Sequence, residues 1–209
     1  MEHQTKRLPK FLINPNFRLH FPYFNVEWYA VEDCILRQEA LYVHPNRQVY
    51  QTRKQCVMCI NRVDHSAIDI IYSDSTNFEN LQLQKWLRKT IRDQIMLRAK
   101  VVLPNRLHEL EAKHHLKANG VVVEKLKGNC MGFCTYDNII HLAPYLIIMP
   151  PAFMDDTILH EMAHIKHKHH RKSFWNFLSI LLGRDSKEEK QLQDTILSKY
   201  LTQIKFLMR

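Results

Sequence analysis

The segment His160-Glu161-Met162-Ala163-His164, with a further histidine at His170, constrains this chain more than any other stretch. Pro150 and Pro151 precede it, and a run of good helix formers follows them. Prolines suit a helix start, and Asp155 and Asp156, read as near that start, suit the positive end of the helix dipole. The spacing predicts one helix carrying His160 and His164. Residues four apart stand one above the other on the same helical face, so two imidazoles converge on one cation while Glu161 reaches a water beside it. A tetrahedral catalytic zinc then needs one more protein ligand and one open position.

Three histidines follow, at 167, 169 and 170. His167 shares the face of His160, but on a continuing helix it lies about 10 Å further along the axis, too far to share one ion. It would serve only if the helix broke early. His170 is turned away by a continuing helix, so it serves only if the chain leaves the helix near residues 166 to 169.

The pattern His160-Glu161-x-x-His164-x5-His170, followed by Phe174-Trp175, resembles the YgjP-like metallopeptidase family. It is similar, more distantly, to the SprT-like and Wss-type DNA-dependent proteases. The resemblance assigns His170 as the third zinc ligand beside His160 and His164, and Glu161 as the catalytic base. It implies an α+β, zincin-like metallopeptidase domain, with a small mixed sheet packed on helices and the metal-binding helix under the cleft. Metzincins share the ligand spacing but carry Gly where His167 stands here, and are set aside. Gly132, Cys134 and Thr135 also fit the family pattern, while Met131 and Phe133 depart from it. The resemblance covers about residues 80 to 182 and implies that Ile139 to Leu146 is the edge strand that pairs with a peptide; His141 on it reads as a surface residue, with a place facing substrate as the lesser alternative. Phe174 and Trp175 are expected to pack under the metal helix and fix the His170 turn. Asp156 reads either as a partner of a ligand histidine or as a first-turn dipole residue.

At 209 residues the chain can bury a substantial core. It reads as residues 1–75, β-rich and part of the same domain, and residues 76–209, the metal-dependent hydrolase domain. Hydrophobic content of 45% and charged content of 24% are globular values. The first residues are polar and basic with no apolar segment after them, and no apolar run approaches the 18 or so residues of a membrane span. The five cysteines, an odd number, fit a reducing compartment. The expectation is therefore a cytoplasmic protein with no membrane partner. A net charge of +9 favours anionic partners, or simply a basic solvated surface.

Along the chain, Met1 to about Leu19 reads as irregular. Short strands are expected from Val26 to Ile71, among them Glu39 to Val43, Gln48 to Thr52, Gln55 to Ile60 and Ser66 to Ile71. Cys56 and Cys59 read as two strand cysteines pointing to opposite faces, with a second zinc site as the lesser alternative. Asn80 to Val101 reads as a helix ended near Pro104, with a basic face of Lys85, Arg88, Lys89, Arg92, Arg98 and Lys100, and Arg106 to Ala118 as a second helix. Val121 to Leu126 reads as a buried strand. The run after Trp175 reads as a buried helix stopped at Gly183. A last helix starts at a capping box, Ser186 with Glu189, and turns Leu192, Ile196, Leu197, Tyr200 and Leu201 inward.

These features point to zinc-dependent hydrolysis, in which Glu161 takes a proton from a zinc-activated water and passes it to the leaving group. The substrate implied by the resemblance is a peptide or protein, with DNA-associated proteins suggested by the distant relatives. The alternatives are a nucleotide pyrophosphatase of the UTP type, an activity attributed to the YgjP-like family, and a non-catalytic metal-binding or nucleic-acid-binding module.

Overall fold

The computed structural model describes residues 11–16 and 20–208. Most of the irregular segment expected up to residue 19 therefore lies outside the described residues. The chain divides into two compact units, Met1–Asp93 and Gln94–Arg209.

The first unit is built on a five-stranded sheet. Its elements are β1 (His20–Phe21), β2 (Phe24–Val31), α1 (Asp33–Glu39), β3 (Arg47–Gln51), β4 (Cys56–Asn61) and β5 (Ala67–Ser73), in the sheet order β1-β2-β5-β4-β3. β2 and β5 pair in parallel and the other neighbours pair antiparallel. β4, inside the sheet, is buried on both faces, so it carries a near-continuous apolar run. In β4, Cys56, Val57, Met58 and Cys59 are all buried. Cys56 and Met58 pack with Leu36 of α1 on one face. On the other face Val57 and Cys59 stand opposite Tyr50 and Gln48. Tyr50 and Gln48 in turn meet Trp86 and Thr90 of the following helix. The two cysteines are thus core residues, and among the described residues no group of possible metal ligands includes them.

Two local expectations fail here. Glu39 to Val43 is not a strand: α1 runs to Glu39, steadied by an Arg37–Asp33 ion pair at 2.5 Å, and Leu41, Tyr42 and Val43 follow it exposed. β propensity cannot form a strand where no neighbour offers a ladder. The helix expected to end near Pro104 instead continues as α2 (Leu81–His114), with Pro104 inside it. An internal proline costs about 3 kcal/mol. The apolar stripe continues past it, with Leu103, Leu107 and Leu110 all buried, and each such burial is worth about 1.5–3 kcal/mol. The stripe outweighs the break. The basic face is not continuous either, because Arg98 is buried and donates to Gln94 at 2.7 Å.

The second unit carries a three-stranded mixed sheet of β6 (Gly120–Val123), β7 (Gly132–Cys134) and β8 (Ile139–Leu142), in the order β6-β8-β7. β8 pairs in parallel with β6 and antiparallel with β7. β8 is therefore the central strand, and the expected edge strand is corrected to β7. The expected strand end is corrected too: Pro144 cannot extend the ladder and opens a buried 3₁₀ turn, Pro144–Ile148. β6 is an edge strand with Val122 exposed, not a buried one.

Three helices complete the unit: α3 (Pro151–Lys166), α4 (Lys172–Leu182) and α5 (Ser186–Met208). Pro151 starts α3, and Gly183 ends α4 in the left-handed conformation, φ 69°, that favours glycine. Asp155 and Asp156 lie beyond the first turn of α3 and act across the fold instead. Asp155 takes two hydrogen bonds from Arg106, at 2.6 and 2.7 Å, and both oxygens of the buried Asp156 accept from Arg184 Nη2 at 2.6 Å. At the start of α5 it is Asp185, not Ser186, that accepts the Lys187 N–H, at 2.7 Å, while Ser186 Oγ donates to the Trp175 carbonyl at 3.0 Å. The Glu189 side chain of the expected capping box lies outside the described residues. Leu192, expected inward, is 53% exposed, while Ile196, Leu197, Tyr200 and Leu201 are half-buried; among the described residues of α5, Ser186, Ile204, Leu207 and Met208 are buried.

Candidate metal centre

α3 brings His160 and His164 onto one face, and the helix stops at Lys166. His167 follows as an extended residue, φ −131° and ψ 95°, so its ring is not carried forward on the helix. His167 donates its own N–H to the Ala163 carbonyl and accepts from His164 Nδ1 at 2.8 Å. That second bond fixes the His164 tautomer: Nδ1 carries the proton and Nε2 keeps its lone pair.

The turn through residues 167–171 then returns His170 to the helix. His170 Nε2 lies 3.1 Å from His160 Nε2 and 3.1 Å from His164 Nε2. One possible ligand atom from each of the three histidines lies within 4.8 Å of the others. Nitrogens held at about 2.0–2.1 Å around one tetrahedral ion stand roughly 3.3 Å apart, so the spacing fits a shared cation. A set of imidazoles suits a divalent transition metal.

Phe174 of α4 is the floor of this cluster. It is fully buried, with ring centroids 5.0 Å from His160, 4.5 Å from His164 and 4.6 Å from His170. Trp175 stacks on the His170 ring at 5.5 Å and donates its indole N–H to the His170 carbonyl at 3.0 Å. The two aromatics hold the turn as expected. Lys168 pins the same turn to the β7–β8 hairpin, donating to the Thr135 carbonyl at 2.5 Å and Asn138 Oδ1 at 2.7 Å, with Cys134 Sγ 3.3 Å away.

Glu161 is buried beside the cluster, and burial pushes its carboxyl up to about 8. The backbone of β7 presses against it. A Cβ on Gly132 would stand 2.9 Å from Glu161 Cγ, 3.1 Å from its Oε1 and 3.1 Å from the His141 carbonyl oxygen. The lesser reading of His141, facing substrate, fails on the same geometry. Gly132 presents the Glu161 side of the sheet, so Phe133 and its partner His141 belong to the other side. There the His141 ring stacks on Phe133 at 4.3 Å and Nδ1 donates to Glu124 at 2.7 Å.

Two cavities open on the cluster, of about 310 and 290 Å³. The first is bordered by His160, His170 and Trp175, the second by His160, Glu161 and Gly132, and both by Gln193 and Asp194 of α5. Neither is lined by a Lys or Arg among the described residues; their charged groups are Asp156, Glu161 and Asp194. Asp156 stands at the His160 side of the first cavity, tied to Arg184. Sequence reasoning did not reach Lys168, Gln193 or Asp194 as parts of this region. None of the three carries a periodic signal; only the hairpin and the path of α5 bring them in.

Among the described residues, no helix is long and apolar enough to cross a membrane. No curated protein matches the chain. Among solved structures it is similar to the crystal structure of the metallopeptidase zymogen of Pyrococcus abyssi abylysin, at 21% identity and a TM-score of 0.40, over 46% of this chain and 93% of the other. The YgjP-like metallopeptidase domain matches residues 35–195, further in both directions than the 80 to 182 expected from the motifs. A match over that much of the chain, with a mixed α+β fold around the three histidines, identifies it as a member of the YgjP-like metallopeptidase family.

Proposed function

We propose that the chain is a zinc peptidase in which His160, His164 and His170 hold the ion through Nε2 and Glu161 is the general base. The observation that carries this reading is the convergence of three imidazoles beside a buried carboxylate on the same helix, with two Nε2 separations of 3.1 Å. A zinc ion there supplies a Lewis acid that makes a water nucleophilic near neutral pH and polarises the scissile carbonyl. Glu161 takes the proton of the attacking water and delivers it to the departing amine nitrogen. Gly132 lets β7 lie against Glu161, so a peptide paired with that edge strand passes the base within reach of its scissile bond. The hydrogen bond from His164 Nδ1 to the His167 carbonyl, and the Phe174 floor, hold the rings for coordination.

The peptide is favoured over a nucleoside triphosphate by the charge of the cleft. Asp194, which lines both cavities, would repel a triphosphate, and no Lys or Arg among the described residues lines either cavity. The test compares wild type with Glu161→Gln at equal zinc content, on unfolded protein with and without DNA, and on nucleoside triphosphates. Peptide cleavage that falls about 10²–10⁴-fold in the variant is expected. Phosphate release lost in the variant would favour the nucleotide reaction, and equal behaviour on every substrate would sink both.

A further inference from the structure

The middle of α5 crosses the cleft with one side only half-buried, at Gln193, Ile196, Leu197, Tyr200 and Leu201. Gln193 and Asp194 line both cavities, as does His160, so the two are one cleft with this turn of α5 as their shared wall. Leu197, one turn on, lines the second cavity together with Cys130 and Met131. Yet from Lys187 to Gln203 no described side chain of α5 is buried. The helix is held at its ends. At one, Ser186 is tied to Ser179 and to the Trp175 carbonyl. At the other, Ile204, Leu207 and Met208 are buried and Lys125 Nζ donates to the Met208 carbonyl at 3.3 Å.

Taking the peptidase reading as its basis, we propose that α5 is a strap over the cleft, closed in this structure, whose middle must swing away for a polypeptide to reach Glu161. The size of the cleft supports this. Each cavity alone is at the lower end of what a small ligand fills. An extended chain has to occupy both, and Gln193 and Asp194 stand between them. The energetics agree, because no described side chain between the two anchored ends is fully buried, and such a segment opens locally at lower cost than α3, which is buried along its length. Asp194 and Gln193 are polar, so they meet water without penalty once displaced.

Two measurements on the full-length protein test the strap. The first needs no activity: in native-state amide hydrogen exchange, residues 191–203 are expected to exchange at least tenfold faster than residues 156–163 of α3. Exchange of both segments at one common rate overturns the proposal. The second places a cysteine at Leu197, which shares its cavity with the native Cys130, in a Cys34→Ser background. Dithiodipyridine takes the two thiol hydrogens and a disulfide closes the strap; mass spectrometry of the non-reduced protein reads the bond, and metal content is checked in both forms. The disulfide form of Leu197→Cys is expected to cleave unfolded protein at least tenfold more slowly than the same variant after reduction. Equal rates in the two forms overturn the strap, and so does refusal of the thiols to bond. Absence of cleavage by the wild type as well, with fast exchange in α5, refutes the peptidase reading on which the strap rests, whereas cleavage at equal rates in the two forms refutes the strap alone.

Discussion

Gly132→Ala is the substitution with the most defined consequence. The added carbon would sit 2.9 Å from Glu161 Cγ and 3.1 Å from both Glu161 Oε1 and the His141 carbonyl oxygen. Carbon atoms rest at about 3.5–4.0 Å, so the overlap with Cγ is roughly 0.6–1 Å. The His141 oxygen belongs to the backbone of β8, the central strand, and cannot yield easily. Glu161 must therefore move. Overpacking of this kind costs about 1–3 kcal/mol, and a misplacement near 1 Å can lower a rate about 10²-fold. The thermal midpoint is expected to fall by about 2–4 °C per kcal/mol lost, and kcat to drop at least tenfold with zinc content unchanged. A double-mutant cycle isolates the cause. In a Glu161→Ala background the Cγ and Oε1 contacts are gone, so most of the stability loss should vanish. An unchanged midpoint with kcat within twofold, or an equal loss in both backgrounds, would refute the idea that β7 positions Glu161.

Three further outcomes follow from the site. His170→Ala should lose zinc by elemental analysis while His167→Ala keeps it, since His167 contributes a carbonyl to His164 and not a ring to the cluster; the reverse result would show that the turn after Lys166 is misread. Phe174→Ala removes a fully buried ring touching three histidines and should cost about 3–5 kcal/mol in denaturant unfolding and weaken zinc binding, whereas a loss confined to stability would make it packing alone. Chelation should lower the thermal midpoint and zinc should restore it, because an ion bound only by the folded chain stabilises it by mass action; an unchanged midpoint would count against the three-histidine site.

Much of this centre was readable from local order in the chain. The i, i+4 relation of His160 and His164, the prolines before them and the Phe174-Trp175 pair after them are short-range features, and helix geometry converts them directly into a shared face. The family motif adds His170, and the mixed α+β fold follows from the same family. What local order could not supply was decided by distant packing. Pro104 reads as a stop because its own cost is local, while the buried stripe that overrides it extends to Leu110. β8 was expected at the edge, but strand order depends on which strands pair, and β6 and β7 take both its sides.

The sequence by itself determined a helix that sets His160, Glu161 and His164 together, because a 3.6-residue period and a five-residue motif need no partner to be read, and the family resemblance supplied the kind of fold around it. Only the tertiary structure decided that the helix ends at Lys166 so that three rings meet, that β7 rather than β8 flanks Glu161, and that Gln193 and Asp194 of α5 stand over the cleft. Those outcomes depend on contacts between residues tens of positions apart, and such contacts leave no period in the chain.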